Sequence, residues 1–145
     1  MTKKLMIVAG LAVLAIGVVI VGTSASAQVK KGKTRSAATK YLMRGIMQPN
    51  CAGLGALLKG DGPADDKAWD TAACHASCLN EMSYLLMDDG RCPDAVWAGA
   101  AKTTLREGSA ETLAACEQKD LEGANAAFKK MTQACAACHT AHKGK

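Results

Sequence analysis

The C-terminal part of the chain carries a regular stripe of apolar and sulfur-containing side chains, which constrains the fold more than any other feature. Its members are spaced alternately three and four residues apart: Leu121, Ala124, Phe128, Met131, Cys135, Cys138 and His142. Steps of three and four place side chains on one face of an α-helix, as in the seam of a helical bundle. The stripe therefore predicts a long helix that begins near Asp120 and buries this face against other helices.

Three further apolar stretches with helical spacing precede this one, and turn residues separate them without any strand-like alternation. The first stretch runs from about Ser36 to Leu58, and Pro49 inside it is expected to kink or end the helix. Asn50 is then available to cap a restart. The basic segment just before this stretch, residues 30–35, is expected to form a frayed terminus.

The second stretch begins where Asp65 or Asp66 can cap a helix, and it ends at about Met87. Pro93 suits the first position of a third helix, and Gly108 with its neighbouring serine is expected to interrupt that helix. One face of the third stretch carries Trp97, Ala101 and Leu105. Because the loops are short and the helices are about twenty residues long, the sequence predicts an all-α fold, an antiparallel up-down-up-down four-helix bundle.

The stripe of the last helix contains a C-x-x-C-H motif formed by Cys135, Cys138 and His139, the spacing used for covalent attachment of c-type haem. Two thiols three residues apart lie on nearly the same helix face, so each can add to one vinyl group of one porphyrin. The adjacent His139 can then ligate the iron from the proximal side. The sequence predicts one haem c, with its iron, attached near the C-terminal end of the fourth helix.

The N-terminal residues 1–27 have the organisation of a secretory signal. Lys3 and Lys4 precede an uncharged apolar run over residues 5–22, and residues 25–27 read A-S-A, a small-residue cleavage site. The apolar run is long for a signal peptide, so an uncleaved membrane anchor is the alternative. Because bacterial c-type haem is attached outside the cytoplasm, an exported, periplasmic protein agrees with the haem motif.

Cleavage would leave residues 28–145, which is enough for one small haem domain and not for two. This part of the chain has 16 basic and 13 acidic residues, a net charge of +3. Aromatic side chains that could stack on bases are nearly absent, so nucleic-acid binding is not expected. Contact with a membrane is not expected once the signal has been removed.

Two other chemistries use a pair of cysteines at the spacing of Cys135 and Cys138. A redox dithiol of the thioredoxin type would lie near a helix start after a strand, whereas this motif ends an alanine-rich helical stretch. A structural zinc site would need a second pair of ligands, which Cys74 and Cys78 could be argued to supply. The histidine of the motif and the export signal favour haem over both.

Taken together, these features resemble the class II c-type cytochromes, the cytochrome c-prime family. The resemblance covers about residues 37–143. It is strongest over residues 120–143, where an acidic helix start, Phe128, the haem motif and Lys143 follow the family's order. It implies a four-helix bundle that carries one haem and acts as an electron carrier or a gas-binding protein.

In that family, one residue of the first helix faces the open side of the iron. A methionine there gives six-coordinate iron suited to electron transfer, whereas an aliphatic residue leaves five-coordinate iron that binds small gases. Met43 and Met47 lie one turn apart on one helix face. Counting about 1.5 Å per residue from the turn after Leu58 places Met43 level with Cys135, so Met43 is the predicted distal ligand and Met47 the second candidate. Either methionine could instead only fill the core.

Five cysteines lie outside the motif: Cys51, Cys74, Cys78, Cys92 and Cys116. An odd number in an exported protein implies a free thiol or a bond between chains. If the first two helices form an antiparallel hairpin, Cys51 and Cys74 lie at about the same distance from the turn that joins them, so a Cys51–Cys74 disulfide is predicted. Cys51–Cys78 is the alternative. Unpaired cysteines are expected to pack as small hydrophobic side chains, and a metal ion held by Cys74 and Cys78 is a further alternative. His142 is expected to be solvated or to contact a haem propionate.

The leading hypothesis is a periplasmic mono-haem cytochrome that carries one electron between redox partner proteins and is not an enzyme. The first alternative is a cytochrome c-prime with an open sixth site that binds nitric oxide or carbon monoxide. A more distant alternative is a cysteine-rich helical bundle that binds soft metal ions such as copper(I). Homodimerisation, frequent in the family, is left open.

Overall fold

The computed structural model describes residues 31–143, which fold into four helices. Helix α1 consists of three contiguous segments, Thr39–Leu42, the π-helical Met43–Met47, and Gln48–Leu57. Helix α2 is Asp66–Leu85. Helix α3 also has three contiguous segments, Ala95–Ala98, the π-helical Gly99–Leu105, and Arg106–Glu117, and helix α4 is Leu121–His142. Within residues 31–143 there is no strand, only an isolated bridge between Lys31 and Ala38. The fold is all-α, as predicted, and compatible with a helical bundle.

The last three helices begin at aspartates that cap them. The side chains of Asp65, Asp94 and Asp120 each accept a hydrogen bond from a backbone N–H three residues later, at 2.8, 2.9 and 3.0 Å. Each bond satisfies one of the donors that a helix start leaves without an intrahelical partner. The predicted cap at Asp65 and the predicted start near Asp120 are confirmed. The third helix begins at Ala95, two residues later than expected, because Asp94 caps it and Pro93 lies outside it.

Pro49 does not end the first helix. The backbone is helical on both sides of it, and the wider π-helical turn immediately precedes it. Proline has no N–H to donate to the preceding turn, and a π-helical segment is a common way to absorb such a local mismatch. Asn50 does not cap a restart either. Its side-chain amide donates to the carbonyl of Ile46 at 2.8 Å instead.

Consecutive helices pack against one another, and small residues allow close approach. Ala72, Ala76 and Ala124 are fully buried. Gly108 does not interrupt α3, because it is buried where the helix meets α4. A Cβ atom built on Gly108 would lie 2.9 Å from the Cβ of Met131 and 3.0 Å from its backbone.

Side-chain hydrogen bonds join each helix to the next one along the chain. The side-chain pairs are Asn50 with His75, Asn80 with Ser109, Arg106 with Ser83, and Lys130 with Glu111. Beneath them lies one core to which all four helices contribute. Sequence-adjacent helices are therefore adjacent in space.

The basic segment before α1 is docked rather than frayed over residues 31–38. Its anchor is Asp89, in the turn between α2 and α3, whose carboxylate accepts hydrogen bonds from the backbone N–H groups of Thr34 and Arg35 at 2.8 and 2.9 Å. Arg91 lies beneath the segment, 1% exposed, and donates to the carbonyl of Ala37 at 2.8 Å. This segment ties the start of α1 to the far end of α2.

The predicted signal at residues 1–27 lies outside the described residues, so its cleavage stays a prediction. In the part that the structure describes, no helix has the length and apolar character needed to cross a membrane.

Candidate haem site

A cavity of about 700 Å³ opens between α1, α3 and α4. This volume lies in the range of sites that hold small molecules and cofactors. Its lining includes every residue that the sequence analysis assigned to the haem: Cys135, Cys138, His139, Met43 and Met47. The tertiary structure thus brings both candidate methionines of α1 and the whole C-x-x-C-H motif of α4 to one space.

Both π-helical segments found in the described part of the chain lie against this cavity. Residues of Met43–Met47 line it from α1, and residues of Gly99–Leu105 line it from α3. Short π-helical insertions are rare and occur frequently at functional sites. Trp97, 2% exposed, continues the apolar wall on the α3 side. No clear sequence signal marks either π-helical segment, apart from the proline that follows the first.

The two methionines line the cavity together with the motif. Helices α1 and α4 approach each other at Gly55, where a Cβ atom would lie 3.2 Å from the Phe128 ring. Met43, Met47 and His139 therefore line one space between these helices. The level of Met43 relative to Cys135 stays a prediction.

The burial of the two methionines differs. Met47 is 8% exposed and belongs to the core, whereas Met43 is only partly buried and packs on the core's edge. A thioether is a soft, weakly polar group that suits either apolar packing or ligation of iron. Met43 thus has the freer side chain of the two.

The two thiols of the motif are held in the neutral form. Burial raises the pKa of the Cys138 thiol to about 11, and the charges of Cys135 and Asp94 add to this effect. Burial also raises the pKa of Cys135, and a third thiol in the cavity, Cys51, contributes. At neutral pH these groups are protonated thiols, so stable binding of a metal ion as thiolates would require their deprotonation.

His139 lies at the opening of the cavity and is largely exposed. Its partial burial lowers the pKa of the imidazole, and the nearby charge of Lys143 lowers it further. Both effects favour the neutral ring, which is the form that ligates a metal ion. The side chain that the sequence assigned to the iron therefore carries a free electron pair at neutral pH.

His142 is packed into the structure rather than solvated. Its side chain is 11% exposed and its Nε2 lies 3.4 Å from Oδ1 of Asp94 without forming a hydrogen bond. The ring contacts Trp97 edge-on, with 5.6 Å between ring centroids. Since His142 also lines the cavity, it joins the end of α4 to the start of α3 at the cavity wall. This pairing depends on the turn geometry and had no sequence signal.

Three basic side chains, Lys40, Arg44 and Lys143, also line the cavity, and among residues 31–143 no carboxylate belongs to its lining. Arg44 and Lys143 are exposed, whereas Lys40 lies over the ring of Tyr41 at 5.1 Å. Opposite charges attract more strongly near a low-dielectric wall than in bulk water. The cavity is thus suited to a mostly apolar molecule that carries acidic groups at its edge.

The predicted Cys51–Cys74 disulfide is wrong, and so is its Cys51–Cys78 alternative. All seven cysteines are free, and Cys51 lines the cavity while Cys74 and Cys78 are exposed. The reason is the rotation of α2, which turns His75 toward α1. The ring of His75 covers Gly53 and its Nδ1 lies 2.9 Å from Oδ1 of Asn50.

The other cysteines agree in part with the prediction that unpaired cysteines pack as small hydrophobic side chains. Cys116 is buried at 1% exposure, as predicted for a small hydrophobic side chain. Cys92 is half-buried, and its Sγ donates to the carbonyl of Asp94 at 3.4 Å. Over residues 31–143, no three His, Cys, Asp or Glu side chains form a group that could hold a metal ion.

No protein-family model, no curated protein and no solved structure matches this chain.

Proposed function

We propose that this protein is an exported mono-haem c-type cytochrome that carries single electrons in the periplasm. The observation that carries the proposal is the cavity, whose wall contains Cys135, Cys138 and His139 on one side and Met43 and Met47 on the other. In this proposal the helices form an antiparallel up-down-up-down bundle with the haem attached near the C-terminal end of α4.

The lining fits a haem in shape and in chemistry. Cys135 and Cys138 would hold the porphyrin covalently, and His139, whose lowered pKa favours the neutral ring, would ligate the iron. The apolar wall around Trp97 would cover the ring system. The basic side chains at the cavity, such as Arg44, would face the acidic propionates. When bound, the haem supplies a reversible one-electron couple between ferric and ferrous iron.

The residues of the chain would set the properties of that couple. Met43, as the distal ligand, would close the sixth position and favour the ferrous state. The apolar side chains of α1 and α3 would limit solvent access to the iron, and lower solvent access changes the reduction potential of a metal site. No substrate is transformed, and the partners are redox proteins that approach the open side near His139.

A second candidate, gas binding at five-coordinate iron, is supported by the burial of Met47. At 8% exposure this side chain already has a packing role in the core. If Met43 packs in the same way, the sixth position stays open to carbon monoxide or nitric oxide. The two candidates share every residue of the haem attachment and differ only at the distal side.

The deciding experiment is an absorption spectrum of the protein made in a host that attaches c-type haem. It is recorded oxidised, reduced, and reduced under carbon monoxide, for the wild type, Met43→Leu and Met47→Leu. Met131→Leu is the matched control, because Met131 is fully buried in the core and does not line the cavity.

Electron transfer predicts sharp reduced bands, little response to carbon monoxide, and conversion to a high-spin spectrum in Met43→Leu only. Conversion in Met47→Leu would transfer the distal role to that residue. A wild type that binds carbon monoxide at once, with no change in any variant, would replace electron transfer by gas binding. A chain without covalent haem bands would refute both functions.

A further inference from the structure

A second pair of thiols lies on the outside of the molecule, away from the cavity. Cys74 and Cys78 are both exposed and free, and they lie one turn apart on α2. Side chains at this spacing share a helix face, with about 5–6 Å between their Cβ atoms. The regular helix from Asp66 to Leu85 fixes this spacing, so both sulfurs can approach one atom at the helix surface.

His75 is not available as a third ligand. Its Nδ1 is 2.9 Å from Oδ1 of Asn50, and a Cβ built on Gly53 would lie 2.5 Å from its Nε2. Both ring nitrogens therefore face α1. No other His, Cys, Asp or Glu among residues 31–143 completes a three-ligand group with this pair. The donor set is two sulfurs.

A donor set of two sulfurs at this separation favours some metal ions over others. Zinc takes four ligands in structural sites, so two thiols alone would hold it weakly. Soft monovalent ions such as Cu(I) prefer thiolates and accept two of them in a linear arrangement. Two metal–sulfur bonds of about 2.3 Å span a distance that thiols one helical turn apart can reach.

We propose that Cys74 and Cys78 form a surface site for one soft monovalent cation of the Cu(I) class. Binding forms two metal–sulfur bonds and releases the two thiol protons, with no change in oxidation state. The site does not depend on the haem, because it uses neither the cavity nor the C-x-x-C-H motif.

The experiment is an anaerobic titration of the full chain, as isolated, with Cu(I) against a chromophoric chelator. The wild type is compared with a Cys74→Ser, Cys78→Ser double variant and with Cys92→Ser as a matched control. Cys92 is a half-buried cysteine on another segment, so its removal should leave the site intact. Both substitutions in the double variant are at exposed positions, and circular dichroism checks that its helices are unchanged.

The expected result is one high-affinity equivalent that the double variant loses and Cys92→Ser keeps. The single variants Cys74→Ser and Cys78→Ser should each bind Cu(I) at least about 100-fold more weakly than the wild type. The reason is that the second thiol of the pair acts at a high effective concentration once the first has bound. The same number of tight equivalents in the double variant would overturn the site. Zn(II) binding as tightly as Cu(I) would overturn the two-sulfur donor set.

Discussion

Gly108 is the position at which a single added carbon should cost most, because α3 and α4 touch there through backbone atoms. In Gly108→Ala the new Cβ would lie 2.9 Å from the Cβ of Met131 and 3.0 Å from its Cα and backbone nitrogen. Backbone atoms cannot rotate away as a side-chain end can, so the two helices must separate. Forcing extra volume into a packed core typically costs about 1–3 kcal/mol.

The steric cost of the added Cβ can be measured by comparing Gly108→Ala with Gly99→Ala, a substitution in the same helix that meets no neighbour. Nothing lies within 4 Å of a Cβ built on Gly99, and the residue is exposed. Replacing glycine by alanine in a helix gains about 0.8–1 kcal/mol from propensity at either position. The difference between the two variants therefore contains the steric cost alone, and Gly108→Ala should be less stable than Gly99→Ala by about 1–3 kcal/mol.

The assay is urea unfolding followed by circular dichroism at 222 nm, with thermal unfolding as a second measurement. A difference of 1 kcal/mol corresponds to about 4 °C in Tm for a domain of this size. Equal stability of Gly108→Ala and Gly99→Ala would refute the close approach of α3 and α4. It would also undermine the cavity wall that these helices build.

Two further predictions concern the ends of α2. Trp97→Phe removes the indole N–H that donates to the buried carbonyl of Leu86 at 2.8 Å. The free energy of unfolding should fall by about 1–3 kcal/mol, because the carbonyl is left without this donor. An unchanged urea midpoint would contradict this prediction. For Asp89, partial burial opposes ionisation, yet hydrogen bonds from Arg35 and Thr34 outweigh it and lower the pKa of the carboxyl. The stability that Asp89 contributes is present above its unfolded pKa of about 4 and is lost as the pH falls toward the folded pKa. Asp89→Asn should therefore be less stable than the wild type at pH 7, and this difference in stability should shrink below about pH 4. A stability difference that does not change with pH would contradict a role for the charged carboxylate.

Several features of the fold follow from local sequence patterns and agree with the structure. The stripe that starts at Leu121 predicted α4, and Met131, in its middle, is fully buried. Aspartates at helix starts predicted the caps, because a short acidic side chain reaches the free N–H groups of the first turn. The spacing of the C-x-x-C-H motif already placed the three side chains proposed to bind haem on one turn of one helix.

The wrong expectations share a different cause. Pro49 and Gly108 break helices in isolation, yet here a π-helical turn and a close helix contact keep the backbone helical. The Cys51–Cys74 disulfide was predicted from helix height alone, and height does not specify rotation. Rotation of α2 about its axis depends on which side chain packs best, and His75 rather than Cys74 faces α1.

The sequence by itself determined the four helices and their order and led to the proposed haem residues, because helical periodicity and short motifs act over a few residues. Only the tertiary structure decided that Met43 and Met47 reach the same cavity as Cys138 and His139. It also decided that Cys74 and Cys78 are exposed at the surface. The physical reason is that helix rotation and separation are set by contacts between distant segments, which no local pattern contains.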